Sequence, residues 1–379
     1  MAPLLSWFES RQAEIVGLCR ELAECESPSD DAAAVARFVE LVADRVSGLG
    51  RVRLHPGGRF GPHLECEFDL PGCAKDGQIL CLGHSDTVWP VGTLKQMPVR
   101  EADGRLWGPG VLDMKAGVAF LIYAVRALRE FGAPVRRRVV MQLNSDEEVG
   151  SESSRALTEE MARRSVAVLV LEPGTGLEGK LKTARKGVGD YSIVVRGKAA
   201  HAGLDPTAGA SAILELAKQI ERITGFARLN DGVTVNVGVI SGGSRANVIA
   251  AEARAEVDVR VVRTEDAGVL DRQLRTLRPV DPRCAIEVAG GLNRPPMERT
   301  EAVAGLFRTA QALAAEMGIA LDESLSGGGS DGNFTAALGV PTLDGLGAVG
   351  EGAHAQHESA LIARMPDRSA LIARLLAAL

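Results

Sequence analysis

Several side chains in the first half of this sequence could hold and work a metal ion. His84 and Asp86 stand two residues apart at the end of the apolar run "ILCLGH". Glu147 and Glu148 follow Asp146 in "NSDEEVG", directly after the apolar "RRVVMQLN". Glu172 closes "VAVLVLEPG", and Asp113 lies in "GPGVLDMKAG" where a helical stretch begins. Taken singly, each has an ordinary reading: a polar strand end, a solvated acid pair, a helix N-cap. Taken together they fall where predicted buried strands end, and in open α/β sheets ligands bind beyond the carboxyl ends of strands. Crowded carboxylates without a partner repel one another and oppose ionisation. A bound cation removes that conflict.

Imidazole and carboxylate donors with no thiolate suit zinc, with cobalt or manganese as substitutes. Two such ions, about 3.5–4 Å apart, need a bridging carboxylate. Neighbouring residues in extended chain point apart, so Glu147 and Glu148 have different tasks. One holds metal, and the other is free to act as general base on a water. Asp86 can point the same way as His84 and accept its second ring N–H, which orients the ligand.

Strands and helices must alternate to place these residues. Residues 5 to 24 and "DDAAAVARFVELVADRVSGLG" read as helices, the second capped by Asp30 or Asp31 and ended at Gly48 or Gly50. "HLECEFDL" alternates like a half-exposed strand, whereas "QILCLGH", "RRVVMQLN" and "VAVLVLEPG" read as buried strands. "AGVAFLIYAVRALREFG" is a helix ending at Gly132. This is an α/β pattern with a largely parallel central sheet. Past residue 180 the text changes to alternating strands with two helical stretches, a smaller α+β unit. The expected organisation is a discontinuous catalytic domain, 1–181 and 295–379, interrupted by an inserted domain, 182–294.

The chain has 379 residues, 46% of them hydrophobic, which is long enough for two domains. A net charge of -6 without a basic block, and 4% aromatic content, argue against nucleic acid and anionic membranes as partners. The six cysteines, Cys19, Cys25, Cys66, Cys73, Cys81 and Cys284, form no CxxC pair. They read as reduced packing residues of a cytoplasmic protein. No signal peptide or membrane-spanning run is expected from the sequence.

The motifs "GHSDTVWP", "GPGVLDMKAG", "NSDEEVGS", "LEPG", "GKAAHAG", "GGGSDGNF" and "GAHAQHE" together resemble the co-catalytic zinc exopeptidases and amidohydrolases. That family is typified by glutamate carboxypeptidase, acetylornithine deacetylase and succinyl-diaminopimelate desuccinylase. The resemblance spans nearly the whole chain, with the motifs in family order. It implies a zinc-exopeptidase-like three-layer catalytic domain with an inserted α+β lid and dimerisation domain. By motif, His84 and Glu172 would hold one zinc, Glu148 and His354 the other, and Asp113 both. Glu147 would be the general base, and Asp86 would orient His84. His201 in "AAHAG" matches a histidine that reaches into the partner subunit's site and stabilises the oxyanion. Asn247, Arg260 and the glycine-rich loop with Gly328 and Gly329 match positions that contact substrate. "GAHAQHESA" offers two histidines; the family spacing to a following glutamate selects His354 before Glu358 and leaves His357 on the surface. The usual "EYV" at the end of that motif is "ESA" here.

The implied reaction is amide hydrolysis. "DPTAGASAILELA" and "TLDGLGAVG" are most similar to glutamate carboxypeptidase, implying release of C-terminal glutamate or a similar amino acid from peptides or N-acyl amino acids. Lys180, aligned through His201, would reach the released side chain, and Arg294 the substrate carboxylate. The alternatives are an N-acyl amino acid deacylase and, in a different class, a catalytically dead metal-binding regulator. Assembly is expected to be a homodimer through the inserted domain, using an edge strand or a helix exposing Ile213, Leu214 and Leu216.

Overall fold

The computed structural model describes residues 3–72 and 77–379; Cys73 lies outside them. The chain divides into two compact units. One comprises residues up to 184, 299–326 and 330–379, and the other 185–298 with 327–329.

The first unit is built on a six-stranded sheet. Its order is Gly50–His55, His63–Phe68, Arg138–Asn144, Gln78–His84, Ser165–Val170, Thr342–Leu343. The last four run parallel. The first two are antiparallel, so the sheet is mixed rather than uniformly parallel. His63–Phe68 lies inside the sheet, and its polar His63 and Glu65 are buried; the half-exposed strand expected there is Gly50–His55.

Alternation along the central strands explains their unbroken apolar text. Ile79, Cys81, Val139, Met141 and Leu169 join the large core on one face. Leu80, Leu82, Val140, Val168 and Val170 join a second core under Met161 and Ala162 of helix Arg155–Arg163. Both faces are covered, so the strands are mostly apolar, and each such apolar burial is worth about 1.5–3 kcal/mol; the buried Gln142 donates to Asn144 and Thr158. The large core centres on helix Ala116–Glu130, buried nearly all round. Gly117 lets that helix touch the chain after Ser165–Val170, because a Cβ there would stand 2.1 Å from the Leu171 carbonyl oxygen. Helices Gln12–Glu24, Ala32–Val46, Glu301–Ala315 and Met365–Ala378 also bury residues in this core. The N-terminal helical stretch is two helices, Pro3–Ser10 and Gln12–Glu24, broken at Arg11. Asp31 is the cap of Ala32–Val46, accepting from the N–H groups of Ala33 and Ala34 at 3.0 and 2.9 Å.

The described cysteines are free. Burial pushes the Cys19, Cys66 and Cys81 thiols up, Cys66 to about 12.

The second unit is a four-stranded antiparallel sheet in the order Thr234–Gly242, Glu252–Val261, Gly187–Arg196, Ala285–Arg294. Helices Ala212–Thr224 and Thr264–Arg275 pack on it through Leu216, Ile223, Leu270 and Leu274. Leu216 is therefore buried, correcting its expected place on a docking surface. It shares the inward helical stripe with Ala212 and Ile223, while Ile213 and Leu214 are turned outward.

Candidate metal centre

The first unit brings its acids and histidines to one rim of the sheet. His84 is the last residue of its strand, and Glu148 follows strand Arg138–Asn144 by one short turn. Glu172 lies two residues past Ser165–Val170. Asp113 sits in an irregular turn, with φ -116° and ψ 96°, just before Ala116–Glu130. His354 comes from a C-terminal loop, with φ 61°.

Two groups result. In one, ligand atoms of His84, Asp113 and Glu172 converge; in the other, those of Asp113, Glu148 and His354. Asp113 belongs to both. His84 Nε2 is 3.2 Å from Asp113 Oδ1 and 3.5 Å from Glu172 Oε1. His354 Nε2 is 3.1 Å from Glu148 Oε2 and 3.4 Å from Asp113 Oδ2. The chemistry fits a pair of cations. Two imidazoles and three carboxylates face each other, and Glu148 Oε1 is buried with no hydrogen-bond partner. The two groups differ in exposure: the His84 side chain is 1% exposed, that of His354 50%. His357 is exposed and belongs to neither group.

The electrostatics show what a cation would replace. Burial alone would lower His84, but its bonds to Asp113, Asp86 and Glu172 hold it well above the usual imidazole range. His354 is raised to about 10 by its bonds to Asp113 and Glu148. Burial would raise Asp113, but the two histidines hold it low; burial raises Glu148. Metal-free, each imidazole thus carries a proton at pH 7 in the place of a cation. Since metal ligation needs neutral imidazole, binding must release protons. Affinity should therefore rise with pH between about 6 and about 10, roughly tenfold per unit for each proton displaced. The metal-free fold behaves oppositely. A raised imidazole stabilises it fully below the unfolded value of about 6.5 and loses that contribution as pH rises through about 10. Zinc titrations at three pH values check the first slope; a flat or reversed one refutes it.

Supporting hydrogen bonds fix the ligands. His84 Nδ1 donates to the main-chain oxygen of Asp86 at 2.9 Å, which leaves Nε2 for the rim. The Asp86 carboxylate is farther, 3.5 Å from that nitrogen. It mainly holds the acid turn: Oδ1 accepts from the Glu147 N–H at 3.2 Å and Oδ2 from the Glu148 N–H at 3.1 Å. Ser29 Oγ–H donates to the same Oδ2 at 2.6 Å. Asp331 stands behind the turn, taking Asn144 Nδ2–H at 2.6 Å and the Ser151 hydroxyl. Lys115 is buried, donates to the Cys25 carbonyl at 2.6 Å, and is lowered to about 8 by burial. Ser29, Asp331 and Glu358 were not among the expected site residues. Glu358 carries a signal in its fixed distance after His354, and Asp331 in its place within "GGGSDGNF".

The expected substrate residues are placed as follows. Lys180, in the first unit, stands 3.6 Å from Asp322 and is partly exposed. The others belong to the second unit. Arg260 is paired with Asp258 of its own strand, Nη2 to Oδ2 at 2.8 Å. Asn247 accepts from the Ala202 N–H through its main-chain oxygen at 3.0 Å. Arg294 is buried, and its Cδ would lie 2.8 Å from a Cβ on Gly329, so a larger residue there would have to displace that side chain. The carbonyls of Gly328 and Gly329 accept from Arg185 Nη1 at 3.1 and 3.0 Å. The exposed His201 accepts the N–H groups of Gly203 and Leu204 on Nδ1, both at 3.1 Å. Its proton is then on Nε2, which makes Nε2–H a donor.

A domain of metallohydrolase architecture is the class that this fold and rim define. Comparison with known proteins agrees. Residues 80–378 match the family model for peptidase family M20/M25/M40. Carboxypeptidase G2 of Pseudomonas sp. (strain RS-16) is 31% identical over 302 residues, 79% of this chain and 73% of that protein. Succinyl-diaminopimelate desuccinylase of Cereibacter sphaeroides is 31% identical over 387 residues, 95% of this chain and 97% of that protein. The crystal structure of aminopeptidase PepT from Bacillus cereus has the same fold, with a TM-score of 0.81 at 23% identity, covering 97% of this chain and 98% of that one. The chain belongs to peptidase family M20/M25/M40 and is a metallohydrolase. No helix of the described residues is long and apolar enough to cross a membrane.

His354→Ala is expected to remove one metal equivalent and His357→Ala none, because only His354 completes a group. Metal analysis after dialysis checks this. Equal losses, or loss in His357→Ala alone, would reverse the assignment.

Proposed function

We propose that the protein hydrolyses an amide bond with two zinc ions, releasing C-terminal glutamate or a similar amino acid from small peptides or N-acyl amino acids. The observation that carries this reading is the sharing of Asp113 between two imidazole–carboxylate groups. His84 and Glu172 would hold one ion, Glu148 and His354 the other, and Asp113 both. Bound there, the pair would supply an acidified water and a polarised carbonyl. Glu147 stands outside both groups, on the turn pinned by Asp86. Its carboxylate takes the proton of the attacking water and returns it to the leaving amine. The Nε2–H of His201 donates to the developing oxyanion, reaching it from a second subunit.

The preference for glutamate rests on the motif resemblance and on the likeness to carboxypeptidase G2. A deacylase reading is favoured by the desuccinylase match, which spans 95% of the chain. Turnover of C-terminal glutamate peptides against N-acetyl and N-succinyl amino acids, with zinc or cobalt restored, separates the two. Preference for the acyl substrates would reject the carboxypeptidase reading.

The homodimer reading is supported by exposed apolar residues of the second unit. Val239 and Ile240 lie on the edge strand Thr234–Gly242, 61% and 65% exposed, and Ile213 and Leu214 lie on helix Ala212–Thr224. Exposed edges invite strand pairing. The free thiols of the described cysteines, all buried but for the half-buried Cys25, fit a reducing compartment such as the cytoplasm.

A further inference from the structure

We propose that Glu358 is a positioning residue that sets the Asp113 turn against the His354 loop, and so governs occupancy of the second metal group. This rests on the metal reading above.

Glu358 is 0% exposed, yet no cation pairs with it among the described ion pairs. Four N–H donors converge on its carboxylate. Oε1 accepts from the main-chain N–H of Leu112 at 2.9 Å and of Asp113 at 3.1 Å. Oε2 accepts from the N–H of Gly110 at 3.0 Å and from the indole of Trp89 at 2.8 Å. Three successive parts of the turn that presents Asp113 are thus tied to one side chain, beside the turn's own bond from the Lys115 N–H to the Gly110 carbonyl at 3.0 Å. The turn has no regular helix to hold it, since Asp113 and Met114 have non-helical backbone angles.

The other end of the same residue fixes His354. Glu358 N–H donates to Ala355 O at 2.9 Å, and Gly108 N–H donates to Glu358 O at 3.2 Å. Ser359–Leu361 then pairs with Arg105–Trp107. The loop is closed at Gly352, where φ is 84° and a Cβ would lie 2.7 Å from the His357 carbonyl oxygen. His354 is therefore held a fixed four residues before an anchor whose side chain holds Asp113. Glu148, the third member of the group, is pinned separately by Asp86. Loss of the Glu358 carboxylate should loosen Asp113 in both groups, but the second group most, because His354 hangs from the same residue, whereas His84 ends a strand and Glu172 lies just past one.

An amide cannot satisfy this site. It offers one oxygen, and its NH2 would face two N–H donors. Groups that orient metal ligands typically contribute 10–100-fold to metal affinity or activity.

The test is a zinc titration of the metal-free full chain, read as stoichiometry, as half-activation and as a split between kcat and KM. Glu358→Gln should bind the second zinc about 10–100-fold more weakly, and the first, which shares Asp113 but not His354, should weaken less. Its kcat at limiting zinc should fall with KM little changed, and excess zinc should restore much of it. Adding Trp89→Phe removes one of the two conflicting donors, so the double variant should bind the second zinc more tightly than Glu358→Gln alone. A general packing defect would not give that recovery or the split between the two ions. Should Glu358→Gln not fold, Glu358→Asp keeps the charge but draws the carboxylate back by one methylene, and it should show a smaller shift of the same kind. Second-zinc affinity within twofold of the parent, or equal weakening of both ions, overturns the proposal. A parent chain that binds fewer than two ions would instead reject the metal reading on which it rests.

Discussion

Glu147→Gln is expected to retain both metal ions and to lose at least the 10²–10⁴-fold in kcat typical of a general base. The substitution changes no member of either imidazole–carboxylate group. It also keeps the side chain's size, and Asp86 holds the turn through the Glu147 and Glu148 main-chain N–H groups, which the substitution leaves in place. The site should be structurally intact and short of one proton acceptor. Glu148→Gln is the contrasting case: it alters a carboxylate of the second group and should reduce metal content. Metal analysis beside single-turnover rates tells them apart. A Glu147→Gln protein missing one ion would mean that the two neighbouring glutamates have exchanged tasks.

Two inactive variants should restore each other. If His201 serves the site of a second subunit, His201→Ala and Glu147→Ala fail for different reasons. A mixed dimer carries one site with a good base and a good His201, and one site with neither. By statistical mixing in a two-fold dimer, about a quarter of all sites should work after the variants are refolded together. The reason to expect His201 to be competent is local. Its Nδ1 is occupied by two backbone N–H groups, so Nε2 carries the proton and the ring is held for donation. A mixture that stays inactive, while size measurements prove subunit exchange, would confine His201 to its own chain or remove it from the reaction.

The sequence was most legible where one physical rule dominated. Buried strands ending in His84, Asn144 and Val170 announce themselves because both sheet faces are covered, and the polar residues that follow have no packing reason to be there. His354 was separable from His357 by its spacing to Glu358, and the structure gives that spacing a cause in the closed turn at Gly352. What pattern could not reveal were partnerships across long sequence distance. Ser29 and Asp86 are 57 residues apart, and Asn144 and Asp331 187. Neither serine nor aspartate in a loop carries a signal of its eventual partner. Leu216 was misplaced for a related reason. An apolar "AILELA" run shows that a helix has an inner and an outer face, but only the sheet beneath decides which leucine turns inward. "HLECEFDL" reads as a half-exposed strand because alternation looks the same on an edge strand and on an interior strand whose polar side chains, here His63 and Glu65, find partners in Ser145 and His55.

Cys81 gives the molecule an internal clock. Its thiol is fully buried in the large core, on the strand that ends at His84, and burial keeps it protonated. An alkylating reagent can reach it only when that strand parts from its neighbours, so its labelling rate counts the openings of the sheet that carries the rim. Cys25, half-buried where its carbonyl accepts from Lys115, should be labelled first, because reagent reaches it without the sheet opening. Mass spectrometry of the two labelled peptides over time would then rank how often each layer breathes, and whether added zinc slows the inner one.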